Sequence, residues 1–234
     1  MQLFSLYHCF WLALTAIFVT GCYRMGRIDS ISRWHRIFRC GLFVAIGANE
    51  AAWFFYRHQV LQIPLVDNLP LHLCDLSVII MLYTLATNRS WTGELSYYMG
   101  AVGALLAVCM PAISETGNIR LLAEIRYFLT HIGLVGVGVY FTFGSRYYPG
   151  RGAVWRSYGF VHLYALLITP LNLMMETNYF FTISAPQQLA FIHQSPHWLF
   201  LVVASLIFLA VFNLLYLPFA VRARRQANTR APAG

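Results

Sequence analysis

Along the chain, long apolar runs alternate with short polar ones, and the apolar runs share a common length. Some 20 mostly apolar residues carry a helix across the hydrocarbon of a bilayer. Seven stretches reach that length: 3–22, 38–56, 69–87, 92–112, 127–145, 154–175 and 198–219. The connections read RMGRIDSISRWHR, RHQVLQIPLVDN, NRS, SETGNIR, SRYYPGRG and a longer stretch after Asn178. The pattern predicts an all-α, polytopic membrane protein, a bundle of seven transmembrane helices. No second domain, internal repeat or low-complexity tract interrupts it, so residues 1–221 are expected to form a single domain. The tail RARRQANTRAPAG (222–234) is too polar to pack and is expected to be disordered.

Composition sharpens this reading. Of 234 residues, 59% are hydrophobic and only 10% charged, whereas a soluble domain keeps roughly a quarter of its residues charged. The formal charge of +8 rests on arginine alone, and its placement says more than its sum. Positive charge near the end of a span stays cytoplasmic. Arg24, Arg27, Arg33, Arg36, Arg39, Arg89, Arg146, Arg151, Arg156 and the arginines of the tail fall on one side. Only Arg57, Arg120 and Arg126 fall on the other, three of 16. The expected topology therefore has the N-terminus outside and the C-terminus in. A nucleic-acid partner needs a basic, wet face, which this pattern does not provide. Five cysteines lie scattered, mostly in apolar runs, so neither a disulfide framework nor a metal site is expected. Val19-Thr20-Gly21-Cys22 resembles a lipobox. Residues 1–8 lack a basic n-region, and the arginines that follow would resist export, so an uncleaved first span is the expectation.

Ionisable groups inside spans are costly and mark candidate sites. They are Glu50 beside Asn49; His72, Cys74 and Asp75; His131; and His162, Asn172 and Glu176. At a rise of about 1.5 Å per residue, Cys74 and His131 each lie about 6 Å below the outer boundary and Glu50 about 9 Å. Asn172 and Glu176 approach the same slab from below, while His162 belongs to a deeper layer. The densest group is Asn68-Leu69-Pro70-Leu71-His72-Leu73-Cys74-Asp75. Asp67 or Asn68 is expected to cap the helix, with Pro70 in its first turn. His72 and Asp75, at i and i+3, can pair. Cys74 diverges from His72 by about 160° around the axis, so a base for its thiol must come from another helix. His131 is the supplier by depth, with Tyr127 and Glu124 on its face to orient it. Such a pair suits nucleophilic catalysis: a thiolate attacks an ester carbonyl and a histidine relays the proton. A helix N-terminus favours the thiolate, while Asp75 and apolar surroundings oppose it.

Plainer readings stand beside this one. A cysteine in a span packs as a small apolar filler, and an intramembrane histidine or asparagine can simply hydrogen-bond between helices. The glycines at 133, 136 and 138, and at 100 and 103, suit close helix contact.

NLPLHLCDLS, RYFLTHIG (126–133) and LNLMMETNYFFTISAP (171–186) together resemble the YwaF-like family of bacterial integral membrane proteins. The resemblance covers roughly residues 40–215. That family is related to a eukaryotic transmembrane acyltransferase that moves fatty acyl chains between phospholipids through an acyl-cysteine. The resemblance implies Cys74 as nucleophile and His131 as its histidine, with Asn172, Asn178 and Tyr179 in the sixth-helix segment. It also implies a plasma-membrane location. The eukaryotic protein has a histidine directly after its cysteine, whereas here Asp75 follows and His72 precedes. The expected function is thus a membrane-embedded lipid acyltransferase using Cys74 and His131, with His72, Asp75, Glu50, Asn172, Asn178 and Tyr179 around the substrate. Phospholipids or lysophospholipids would be its partners, and no cofactor is expected. The alternative is a non-enzymatic protein that binds or transports a small amphiphile.

Overall fold

The computed structural model describes residues 4–28, 33–111, 113, 119–145, 147–150, 152–186 and 195–230. Every regular element among the described residues is helical. The chain divides into two compact units, residues 1–147 and 148–234.

In the first unit, α1 (Leu6–Gly26) begins where the Ser5 hydroxyl accepts the His8 N–H at 3.3 Å, satisfying one of the donors a helix start leaves open. Helix α2 (Arg33–Gln59) is followed by a single turn, α3 (Leu65–Asn68), and then by α4 (Leu73–Thr87). Residues 90–109 form one helical run in three pieces: α5 (Ser90–Leu95), a π turn (Ser96–Ala101) and α6 (Val102–Cys109). Helix α7 (Arg120–Val139) continues into a second π turn, Tyr140–Gly144.

Helix α7 is the axis of this unit. In its most apolar window 78% of the residues are buried, against 22% in α1 and 17% in α2. Around it pack α1, α2, α4 and α6. One core cluster centres on Met81, Val137, Tyr140 and Phe141, all fully buried. A second joins Val108 and Ile132 to Trp11, whose ring stacks on Phe128 at 4.5 Å and 4°. Glycine permits the closest approaches. A Cβ on Gly136 would lie 2.4 Å from Phe18 Cε1, and one on Gly26 would lie 2.6 Å from the Cα of Gly144.

In the second unit, α8 (Ala153–Met175) ends at Glu176, whose left-handed backbone (φ 55°) closes the helix. A short 3-10 turn, Tyr179–Phe181, precedes α9 (His197–Arg230).

Among the described residues, five segments are long and apolar enough to cross a membrane: α1, α2, α7 with its π turn, α8 and α9 up to Arg225. The chain is therefore a membrane protein with several candidate spans. The third expected stretch yields α4, an apolar helix of 15 residues, or about 22 Å.

Three boundaries differ from the expectation, two of them for an evident physical reason. The third helix starts at Leu73, with His72 as its N-cap, and not at Asp67 or Asn68. Leu69 precedes Pro70, and a residue before proline is pushed out of the helical region; its ψ of 140° breaks the run there. Asn68 instead donates its amide to the Phe54 carbonyl at 3.0 Å, tying the α3 turn to α2. Helix α7 begins at Arg120, seven residues before the expected start, because Arg126 finds counterions inside the bundle and does not mark its surface. Helix α9 runs on through residues 222–230 of the tail; residues 231–234 lie outside the described residues, as do Arg146 and Arg151.

Candidate functional site

The first turn of α4 carries three of the expected residues. The Asp75 carboxylate accepts the backbone N–H of His72 at 3.3 Å, which satisfies a free donor at the helix start. Cys74, the second residue of the helix, is half-buried.

The charged centre of the site is Arg126 of α7. Its Nη2 donates to Glu50 Oε2 of α2 and lies 3.7 Å from Asp75 Oδ1 of α4. Three helices thus meet through a guanidinium that faces two carboxylates. Arginine does not lose its charge, so in apolar surroundings it requires such company. A hydroxyl chain completes the network. Asn49 Nδ2 donates to Thr130 Oγ1 at 3.0 Å, and Thr130 in turn donates to Glu50 Oε1. Glu50 also accepts from Asn49 Nδ2 at 3.2 Å, and the Arg126 guanidinium sits 5.9 Å over the Trp53 ring.

His131 is buried, one turn beyond Tyr127. Its Nδ1 lies 2.7 Å from the Tyr127 carbonyl, and the two rings are 4.1 Å apart. A carbonyl only accepts, so Nδ1 carries the proton and Nε2 presents a lone pair. That is the tautomer a proton acceptor needs. Tyr127 thus orients the imidazole through its backbone. Glu124 pairs with Arg120 at 2.9 Å and takes no part in holding the ring.

Among the described residues, no hydrogen bond joins the Cys74 thiol to His131. What the two share is surroundings, since both lie within electrostatic range of Arg126 and Glu50. Cys74, His72, Asp75, Glu50 and His131 therefore belong to one neighbourhood in the first unit.

Asn172, Asn178 and Tyr179 belong to the second unit and organise the loop after α8. Asn172 is buried, and its amide donates to the Tyr179 carbonyl (2.8 Å) and Thr182 Oγ1 (2.9 Å). Its carbonyl accepts from the Thr177 hydroxyl and the Tyr179 N–H, both at 2.9 Å. Asn178 folds the next turn, donating to the Ser184 carbonyl at 2.9 Å and accepting the Ile183 and Ser184 N–H groups at 3.1 Å. Nearly all the hydrogen-bonding capacity of these two amides is spent on the chain itself.

Sequence reasoning missed several members of these networks. Arg126 read only as a boundary marker and Thr130 not at all. An arginine within one turn of a polar apolar-run residue, with acids at matched depth on two other helices, was the available signal. His162 repeats the His131 arrangement: its Nδ1 lies 2.8 Å from the Tyr158 carbonyl, and its Nε2 lies 2.9 Å from Ser205 Oγ of α9. The shared Tyr-x-x-x-His spacing could have revealed that parallel.

Compared with protein-family models, residues 3–216 match the one described as the TMEM164 family. Neither a curated protein nor a solved structure matches the chain.

Proposed function

Since the chain belongs to the TMEM164 family, a family of transmembrane proteins, we propose that it is a lipid acyltransferase working through an acyl-cysteine at Cys74. The observation that carries the reading is the buried His131 ring. Its Nδ1 is committed to the Tyr127 carbonyl, its Nε2 has no hydrogen bond among the described residues and can take a proton, and it shares Arg126 and Glu50 with the thiol.

In the first half-reaction His131 Nε2 accepts the Cys74 proton. The sulfur attacks the ester carbonyl of a phospholipid, the C–O bond breaks, and the lysolipid oxygen leaves with that proton. In the second, the hydroxyl of an acceptor lysolipid gives its proton to Nε2, and its oxygen attacks the thioester. The C–S bond breaks and the thiol is restored. The ions of Arg126, Glu50 and Asp75 hold α2, α4 and α7 in register around this exchange. His72 and Asp75 shape the start of α4. Asn172, Asn178 and Tyr179 enter as builders of the loop after α8. We place the site toward the outer leaflet of the plasma membrane, in a seven-span arrangement with the N-terminus outside, on the strength of the arginine bias.

Incubation of the purified protein with a phospholipid carrying a radiolabelled acyl chain is expected to leave a hydroxylamine-sensitive label. Cys74→Ala should abolish it, and His131→Gln should slow its appearance by about 10²-fold or more, the usual worth of a positioned base. Undiminished labelling of Cys74→Ala would overturn the mechanism.

A second reading has its own support in the lack of a direct Cys74–His131 hydrogen bond among the described residues. A protein that only binds or carries a small amphiphile would keep its ligand in Cys74→Ala and lose it in Glu50→Gln.

A further inference from the structure

The opposite end of the first unit holds a second polar cluster that acyl transfer does not use. It forms where α2 begins, α4 ends and α7 passes into its π turn. The Tyr140 hydroxyl lies 2.7 Å from His35 Nε2, and both residues are buried. Arg39, one turn after His35 on α2, lies within electrostatic range of the same phenol, as does Tyr147, and Ser145 stands beside it. Asn88, which closes α4 in the left-handed conformation (φ 56°), reaches Tyr147 with its amide at 3.5 Å.

Several polar atoms here are enclosed with few or no hydrogen-bond partners among the described residues. Arg39 Nε and Nη1 and Asn88 Oδ1 have none, and Ser145 Oγ has only the Tyr140 hydroxyl beside it. Arg39 has no ion pair among the described residues. The contrast with Arg126 is direct: both arginines are partly buried, and one guanidinium meets two carboxylates while the other meets none among the described residues. A buried donor with no acceptor costs its full desolvation, and the cost is larger for a charged group. Three of the four atoms belong to groups that donate. The exposed arginines at the same end, Arg24, Arg27, Arg33 and Arg36, add a positive field that draws anions toward it. Arginine with hydroxyl donors is the combination that recognises phosphate oxygens.

We propose that Arg39, Ser145 and Tyr140 form a binding site for a phosphate group, at the end of the first unit opposite the thiol. Two sources share this chemistry: the headgroup of an anionic phospholipid and free phosphate. The proposal stands apart from the acyltransfer reading, since none of its residues takes part in that reaction.

The test uses full-length protein in a detergent without phosphate and compares three probes by thermal shift and native mass spectrometry. The probes are phosphatidylglycerol, diacylglycerol and inorganic phosphate. Phosphatidylglycerol is expected to bind and raise Tm, and diacylglycerol to do neither. Arg39→Gln should weaken phosphatidylglycerol binding about tenfold or more, the worth of hydrogen bonds to a charged group. Arg36→Gln, an exposed neighbour, should weaken it less than about threefold, as a screened surface charge does. A matching shift with inorganic phosphate would support the site and assign it to the free anion. Ser145→Ala serves as the milder variant should Arg39→Gln fail to fold, and it should lower affinity measurably without loss of the fold. Equal losses in Arg39→Gln and Arg36→Gln, unchanged affinity in Ser145→Ala, or no binding of any phosphate probe would overturn the proposal.

Discussion

Arg126 shows how a single residue changes meaning once its neighbours are known. In the sequence it is a charge near the start of an apolar run, which is what a span boundary looks like. In the fold it is inside α7, with Glu50 on α2 and Asp75 on α4 as counterions. Removing the cation leaves two carboxylates facing each other with only neutral donors, Thr130 and Asn49 for Glu50 and the His72 N–H for Asp75, to offset them. Breaking a fully buried pair from one side costs about 3–5 kcal/mol, and a smaller loss is expected here, where the three side chains keep 20–23% of their exposure. Arg126→Met is therefore expected to lower Tm sharply in detergent, while Arg126→Lys, which keeps the charge but loses the fork, should fall between it and the parent. If Arg126→Met melts like the parent, the ion network does not hold the helices. At this scale the sequence was readable where a polar group stood out against an apolar background, as Glu50, Cys74, His131 and Asn172 do. It was not readable where the decisive fact was a partner from a distant segment, as with Arg126, Thr130 and the Tyr140 cluster.

Elements were legible in position more than in their ends. The apolar runs located α1, α2, α7, α8 and α9 because burial in lipid demands a minimum apolar length. Their boundaries depend on local backbone and on charge pairing, which an apolar count does not contain. Pro70 is the clear case: it was read as the opening turn of a helix, yet its effect on Leu69 delays the helix to Leu73. Contacts between elements were legible only as a tendency. Glycine-rich stretches suggested close packing, and a junction of backbone against backbone pairs Gly26 of α1 with Gly144 of the π turn. There the obstacle to a side chain is backbone, which cannot rotate away. Gly26→Ala is expected to destabilise by about 1–3 kcal/mol, the range for overpacking. Gly41→Ala, with nothing within 4 Å of the added carbon, should be neutral or stabilising, since alanine is the better helix former by about 1 kcal/mol. Thermal denaturation of the two variants in parallel checks the contrast, and equal Tm values would refute it.

For the whole molecule, the proposed seven-span topology turns on α4 and on the run from Ser90 to Cys109. Helix α4, at about 22 Å, is shorter than the hydrocarbon core of about 30 Å, so its crossing is the decisive point. The turn between α4 and α5 bears Arg89, which is exposed. If α4 crosses, Arg89→Cys in a background with Cys9 and Cys40 replaced should react with a membrane-impermeant maleimide only from the C-terminal side. Labelling from the N-terminal side would remove both crossings. The membrane class was plain from composition, because so few charges cannot keep a chain of this size in water. The division into two units was not, since the stretch where they divide, SRYYPGRG, reads like any other short connection between spans.

The central place of α7 bears on how the protein is made. Its packing neighbours α1, α2, α4 and α6 all precede it in the chain. When a ribosome delivers Arg126 and His131 to the bilayer, the acids and aromatic surfaces that receive them have already been synthesised. The charged and polar groups of an otherwise apolar segment thus arrive where their counterions already exist, and none of them has to wait for chain still to be made.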